Sequence, residues 1–519
     1  MPMLQQLPLG MSTFSDIIQK NYLYVDKTEH IHRLITSSKY YFLSRPRRFG
    51  KSLMVSTLKE IFEGHHTLFK DLWIGQCGYE FPKHPVINLD FGGISHGTPE
   101  AFEEGLRFEI SSLAKKNAIQ LPPTQVISTL FKVLVTELAQ SNQAVLLVDE
   151  YDKPILDHLH DPKTAESMRT ILHGFFSTVK GLDAHWRFIF LTGVSKFSKT
   201  SVFSGLNNLT DLSENSLAST ALGYTQEELT HYFQIYVQEL ATQLKVTDEQ
   251  AWQTLKTWYN GYRFSPDSTE KVYNPFSILH CLNQKKISNY WFESGTPSFL
   301  IKIAKQQDIG KFDYEDCQVS ASAFSTFDLD SIRLIPAFYQ TGYLTLKEVD
   351  EQDNIYHLGF PNQEVRDSMS GYLAANLVHA DKEDVDFSIG HIRKALRANN
   401  VEAFVELLQS LFANIPARLH IPEERYYHSL FQLICNLLGV DAHSEINTSK
   451  GVIDVVIELP IRIFVIEIKL GHTAQIAFKQ IRDKHYADKY KLKQKPITLV
   501  GLSFRRTTDG SKIESVSQG

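Results

Sequence analysis

Cysteine is scarce: Cys77, Cys281, Cys317 and Cys435 are scattered through 519 residues, with no C-x-x-C pair and no His/Cys cluster at zinc spacing. That pattern excludes a disulfide framework and a structural zinc site, and the thiols read as reduced, in a cytoplasmic protein. No apolar run approaches the roughly 20 residues that span a bilayer. The opening MPMLQQLPLGMSTF has neither a basic n-region nor a continuous apolar stretch, so no membrane partner and no secretion are expected. Pro/Gly-rich and single-residue tracts are missing as well. With 43% hydrophobic and 22% charged residues, the composition is that of ordered globular domains, and the length exceeds what one core usually serves.

A net charge of −6 excludes a uniformly basic surface, yet residues 479–506 carry nine Lys/Arg against two Asp. That stretch (Lys479, Arg482, Lys484, Lys489, Lys491, Lys493, Lys495, Arg505, Arg506) suits a phosphate backbone and equally a solvated helix face and tail. The sequence leaves a homo-oligomer open.

Between residues 40 and 194, short apolar runs alternate with helical stretches: YYFLS (40–44), PVINLDF (85–91), AVLLVDE (144–150) and RFIFLTGV (187–194). Such alternation predicts an α/β fold, a parallel sheet with helices on both faces, over residues 1–215. From about 216 to 325 the period becomes helical. Residues 326–415 read as a winged-helix-like and helical connector: the helix DSIRLIPAFYQTGY, two strands joined by an acidic turn, then helices at 363–378 and 390–413. The acidic wing points to packing or coupling rather than DNA. Residues 416–519 form the last domain.

The loop RPRRFGKS (45–52) lies between the first strand and the amphipathic LMVSTLKEIF, the setting in which backbone amides and a helix N-terminus face phosphates. Gly50 opens the helix, Lys51 pairs with β/γ-phosphates, Ser52 holds Mg²⁺, and Arg47 and Arg48 add positive charge. Arg45 stands where the first glycine of GxxxxGK[ST] is expected. The strand AVLLVDE supplies Asp149 as a second Mg²⁺ holder and Glu150 as base for an attacking water. Thr192, ending the fourth strand, is a candidate γ-phosphate sensor. Lys196 and Arg263 are candidate cations for the transition state.

Near the C-terminus, VIDVVIEL and RIFVIEIKL read as two strands around a Pro-containing turn. Alternation puts Ile453, Val455, Ile457 and Leu459 on one face and Asp454 on the other; Glu467 and Lys469 share a face with Val465. A hairpin centred on Pro460-Ile461 pairs residues whose numbers sum to 921, which sets Asp454 opposite Glu467. Cross-strand carboxylates with Cβ atoms about 5 Å apart can share one divalent cation. Pro-Ile is a poor two-residue turn, so a longer symmetric loop is expected. Lys469 would orient the attacking water or stabilise transition-state charge. Glu445 and Glu424 are candidate further ligands, and Gln480 follows on the helix AQIAFKQIRDKHYADKY. A half-solvated hairpin with surface charges would carry the same D-x₁₂-E-x-K spacing.

Taken together, YVDKT (24–28), RPRRFGKS, LLVDEYDKPI (146–155), LTGVSKFSK (191–199), WYNGYRFS (258–265), VYNPFSIL (272–279), YWFESGTPSFLI (290–301), YQTGYLT (339–345) and the D…EIK core resemble a bacterial family over nearly the whole length. That family joins an AAA-ATPase-like P-loop domain to a C-terminal PD-(D/E)XK nuclease-superfamily domain of restriction-endonuclease-like α/β fold. The resemblance implies ATP binding by Lys51, Ser52, Asp149 and Glu150. It also implies nuclease roles for Asp454, Glu467, Lys469 and Gln480, with Mg²⁺ (or Mn²⁺) and DNA as cofactor and substrate. Where relatives carry Arg in a G-R-x-D entry, this chain has Val452. Three readings stay open: an ATP-regulated nuclease, a nucleotide-dependent switch whose nuclease-like domain serves binding or assembly, and an ATPase coupled to a protein partner through the aromatic stretches TWYNGYRF and GTPSFL.

Overall fold

The computed structural model describes residues 4–519 except 197–205, 207, 294–299, 301–316, 321–332, 378–381, 414–430, 432–433, 435–437, 439–440, 449–450, 460 and 508–509; the side chains of 292–293, 372–377, 382–383, 386, 413, 441–448, 451–453, 506–507 and 510–511 are also outside the described set. The chain forms two compact units, residues 1–303 with 314–364, and residues 304–313 with 365–519.

The first unit is built on β1 (Tyr40–Ser44), β2 (Val86–Asp90), β3 (Ala144–Asp149), β4 (Trp186–Gly193) and β5 (Thr210–Asp211), all parallel in the order β2-β3-β4-β1-β5. Every residue of β1 and β3 is buried, as expected of strands covered on both faces. Four of the strands coincide with the apolar runs of the sequence. The two-residue β5 has too little pattern to be read. Because β4 lies between β1 and β3, the end of β4 separates the phosphate loop after β1 from the acidic end of β3. A Cβ on Gly193 would lie 2.5 Å from the Tyr151 ring and 2.8 Å from Asp152. Only glycine lets the DEYD segment close over β4.

Beyond the sheet, the helices Gln226–Leu244 and Asp248–Tyr259 each open on a capping box, Thr225 with Glu228 and Thr247 with Gln250. The helix Leu334–Thr341 precedes β7 (Thr345–Asp350) and β8 (Ile355–Gly359), and β6 (Cys317–Ser320) adds an unforeseen third strand in the antiparallel order β6-β8-β7. These elements belong to the same unit as the phosphate loop. Gly342, at φ 89°, accepts Pro46 at a distance where a Cβ would clash (2.6 Å).

The second unit holds β9 (Asp441–Thr448), β10 (Gly451–Glu458), β11 (Ile463–Leu470), β12 (Ile497–Thr507) and β13 (Gly510–Gln518), in the order β13-β12-β11-β10-β9. Only β11 and β12 run parallel. One face packs Val455, Ile457, Phe464, Ile466 and Ile468 against the helices Lys382–Arg397 and Val401–Ala413. A break at Asn399 (φ 54°) divides what the sequence read as one helix. The other face carries a smaller cluster of Val456, Ile463, Val465, Ile481, Tyr486 and Tyr490. To join it, the chain leaves the helix Ala474–Asp483 at His485 (φ 51°), so the long helix expected through residue 490 stops early. No helix among the described residues is long and apolar enough to cross a membrane.

Candidate phosphate loop and candidate metal centre

The phosphate loop leaves β1 and enters the helix Lys51–Phe62 through Arg48 (φ 67°) and Gly50 (φ 95°), both left-handed. Lys51 is buried and its ammonium donates to the carbonyls of Arg45 and Pro46, each at 2.9 Å. Burial lowers its pKa, while Asp149, Glu150 and Asp152 act in the opposite direction. The amine thus occupies the loop's own carbonyl acceptors. Ser52 follows, half-buried in the first helical turn.

Arg45 explains the missing glycine. Only 2% exposed, its guanidinium donates to the carbonyls of Ser44 (2.9 Å), Ser213 (2.6 Å) and Ala218 (2.9 Å) and lies 4.2 Å from the Phe264 ring centre. It fixes the loop entry from behind and takes no part in the phosphate face. Arg48 is exposed, its guanidinium 5.1 Å from the Phe276 ring.

Asp149 ends β3 beside Asp90, its register partner on β2. Its carboxylate accepts from the hydroxyl of Thr192, which is fully buried; Thr192 therefore acts on Asp149 first. Glu150 sits at φ 53° with its carboxylate against Gly92, where a Cβ would be 2.4 Å away. Burial raises its pKa and Lys51 opposes the rise, which suits a base. The two candidate cations are spent elsewhere. Lys196 pairs with Asp211 at 2.6 Å, and Arg263 donates to the carbonyls of Ser265, Pro266, Ser268 and Lys347. Sequence reasoning missed Asp152, whose buried carboxylate accepts from the Val194 and Ser195 amides (2.9 and 2.6 Å) and the Ser195 hydroxyl (2.6 Å). The second Asp of D-E-Y-D was its signal. Beside the loop a cavity opens between YVDKT and the helix, lined by Tyr24, Val25, Lys27, Gly50, Met54 and Leu222.

In the second unit the pairs Val455↔Ile466, Val456↔Val465, Ile457↔Phe464 and Glu458↔Ile463 all sum to 921. The expected register holds, and its continuation sets Asp454 across from Glu467. The expected longer loop does not form: Leu459 and Arg462 exchange backbone hydrogen bonds (2.8 and 3.4 Å) around residues 460–461. Burial of both faces of the hairpin fixes the register, whatever the turn residues prefer. On the other side, Ile453↔Ile446 and Val455↔Ser444 put residue 445 opposite residue 454. The Glu445 side chain is outside the described residues, as is Glu424 altogether.

Where the β10–β11 ladder ends, the Asp454 carboxylate accepts the Ile468 N–H at 2.7 Å. Glu467 is fully buried; its Oε1 accepts from Lys469 (3.0 Å) and Gln480, while its Oε2 makes no hydrogen bond among the described residues. A buried carboxylate oxygen without a donor is costly unless a cation faces it. Burial, then the facing Asp454, raises the Glu467 carboxyl to about 7, with Lys469 opposing. Unfolded, the group ionises near the ordinary 4.5, so between that value and about 7 the folded state holds more protons than the unfolded. Metal-free stability therefore falls as pH rises through this window. Melting curves across it should show Glu467→Gln flattening the slope; an unchanged slope would contradict the assignment.

Gln480 reaches Glu467 because the helix Ala474–Asp483 lies against Gly501, the residue paired with Glu467 on β12. A Cβ on Gly501 would lie 2.5 Å from the helix backbone at Ala474 and Phe478. Gly501→Ala should cost about 1–3 kcal/mol in denaturant unfolding and weaken metal binding as Gln480 retreats. The basic stretch is partly neutralised: Lys493 and Lys495 pair with Glu458, Lys491 with Asp488 and Arg505 with Glu514. Lys479, Arg482 and Lys484 are exposed on or just after the Gln480 helix.

Residues 8–203 match the family model described as predicted AAA-ATPase, and residues 422–512 the PD-(D/E)XK nuclease superfamily. Among curated proteins, a protein of Azotobacter chroococcum mcd 1 described as an uncharacterized protein in the vnfD 5′ region is 36% identical over 517 residues, covering 97% of each chain. With both domains matched and a relative alike from end to end, the chain belongs to the family that joins a predicted AAA-ATPase domain to a C-terminal PD-(D/E)XK nuclease-superfamily domain.

Proposed function

We propose that this protein binds and hydrolyses ATP in its first unit and cleaves DNA phosphodiester bonds in its second, with nucleotide occupancy regulating cleavage. The observation that carries the reading is the Glu467 carboxylate: one oxygen held by Lys469 and Gln480, the other buried, without a hydrogen bond among the described residues, and across the register from Asp454. Asp454 and Glu467 are the residues that would hold Mg²⁺ or Mn²⁺, with Glu445 as a further candidate. A divalent cation held there would offset the paired negative charges and would lower the pKa of a bound water toward neutrality. Gln480 fixes the orientation of Glu467. Lys469, 19% exposed in its side chain, reaches from the buried carboxylate to the solvent edge, where its ammonium meets the scissile phosphate. Lys479, Arg482 and Lys484 supply exposed charge for flanking phosphates.

In the first unit, Lys51 would exchange the loop carbonyls for the β/γ-phosphates, and Ser52 and Asp149 are the residues that would hold Mg²⁺. Glu150 takes the proton of the attacking water, and Thr192 keeps Asp149 oriented. The cavity beside Gly50 suits the base. The test is incubation of the purified protein with supercoiled DNA, linear DNA and RNA, with Mg²⁺ or Mn²⁺, in the presence and absence of ATP. Metal-dependent nicking of DNA that responds to ATP is expected; no cleavage under any condition would favour the switch reading.

A further inference from the structure

A phosphate loop works by turning its amides inward, so its carbonyls must be satisfied outward. A glycine at the entry usually gives the backbone that freedom; here Arg45 stands there, pinned by three carbonyls. The shape of the loop must therefore be set from outside. Trp291, 4% exposed and 244 positions downstream, donates its indole Nε1–H to the carbonyl of Arg47 at 3.0 Å. In a planar trans peptide the C=O and the following N–H point opposite ways. Holding the Arg47 carbonyl outward thus turns the Arg48 N–H toward the loop interior. Neither the Arg48 nor the Gly50 N–H makes a hydrogen bond among the described residues.

The indole is itself anchored. Its backbone N–H donates to Glu364 Oε1 at 2.7 Å, and Glu364 Oε2 accepts from the Ser277 hydroxyl at 2.7 Å. Glu364 is fully buried and is the last residue of the first unit before the chain passes into the second.

We propose that Trp291 is a positioning residue of the nucleotide site, orienting the phosphate loop through the Arg47 carbonyl, and that Glu364 holds Trp291 in place. This rests on reading residues 45–52 as a nucleotide site. It extends that site beyond residue 203, where the matched ATPase segment ends, to the last residue of the unit.

The test uses the full chain, with ATP affinity from calorimetry, ATP turnover kinetics, and melting temperature without nucleotide. Trp291→Phe keeps the packing and removes the donor. One neutral hydrogen bond corresponds to roughly a five- to tenfold loss of ATP affinity, appearing as a raised KM with kcat preserved. Glu364→Met, which keeps the length of the side chain and removes the acceptor of the Trp291 N–H, should weaken binding as well. Added to Trp291→Phe it should change affinity no further, since both act through the same indole contact. A lower melting temperature with unchanged affinity means that the bond matters equally with and without nucleotide, and overturns the proposal; so do additive losses of affinity. If Trp291→Phe does not fold, Glu364→Met decides alone, and unchanged affinity there overturns it. Failure of the unmodified protein to bind ATP would instead overturn the nucleotide reading, and this proposal with it.

Discussion

Asp454→Asn is expected to abolish metal-dependent cleavage while leaving the second unit folded. Asparagine keeps an oxygen for the Ile468 N–H, which Asp454 accepts at 2.7 Å, so the end of the hairpin stays tied. What disappears is one of the two charges facing the cation. Changes to groups that merely support a metal ligand typically lower affinity or activity roughly 10- to 100-fold, so loss of a ligand itself should exceed about 100-fold in cleavage rate. Asp454→Ala should have the same effect on rate and an added cost in stability, because it leaves the Ile468 N–H unpaired. There is a second readout. Asp454 is one reason the Glu467 carboxyl lies near 7, so Asp454→Asn should bring it down and flatten the pH dependence of metal-free stability. Cleavage by Asp454→Asn within a few-fold of the unmodified rate would remove the proposed centre from residues 454–469.

The hairpin was legible in the sequence because two independent periodicities agreed there: alternation assigned each carboxylate a face, and the sum of 921 assigned each a partner. The turn was not, because local turn preference opposed it and the buried faces prevailed. The strands β12 and β13 went unread. Gly501 in β12 and the charges at Arg505 and Arg506 interrupt the apolar pattern, yet Gly501 is what admits the helix bearing Gln480. In the first unit, the strand end that places Asp149 and Glu150 was legible, and both lie near enough to act on the Lys51 charge, since a parallel sheet presents its C-terminal edge to one site. The roles of Arg45, Lys196 and Arg263 were out of reach. Each side chain is committed to backbone carbonyls or carboxylates brought together only by tertiary folding, and no spacing encodes such contacts. Strings such as WYNGYRF and YWFE carried no chemical logic until Trp291 was seen against the phosphate loop.

Lys51→Ala should eliminate the stabilisation that ATP gives the first unit. A ligand at about 100 times its Kd stabilises the folded state by about 2.7 kcal/mol, an effect read directly as a rise in melting temperature. Without the ammonium, the β/γ-phosphates meet a site whose nearest charges include Asp149, Glu150 and Asp152, and electrostatics turn against binding. The variant should also melt lower without nucleotide, because the carbonyls of Arg45 and Pro46 lose the donor they share and hydrogen bonds from a charged group contribute about 1.5–3 kcal/mol. The two effects separate on adding ATP: the first is the missing rise, the second the lowered baseline. Where nucleotide occupancy regulates cleavage, linkage makes the coupling reciprocal for binding, so DNA cleavage by Lys51→Ala should no longer respond to ATP while the metal centre remains intact. An ATP-induced rise equal to that of the unmodified protein would show that Lys51 does not hold the phosphates, and that its bonds to the loop carbonyls are its whole role.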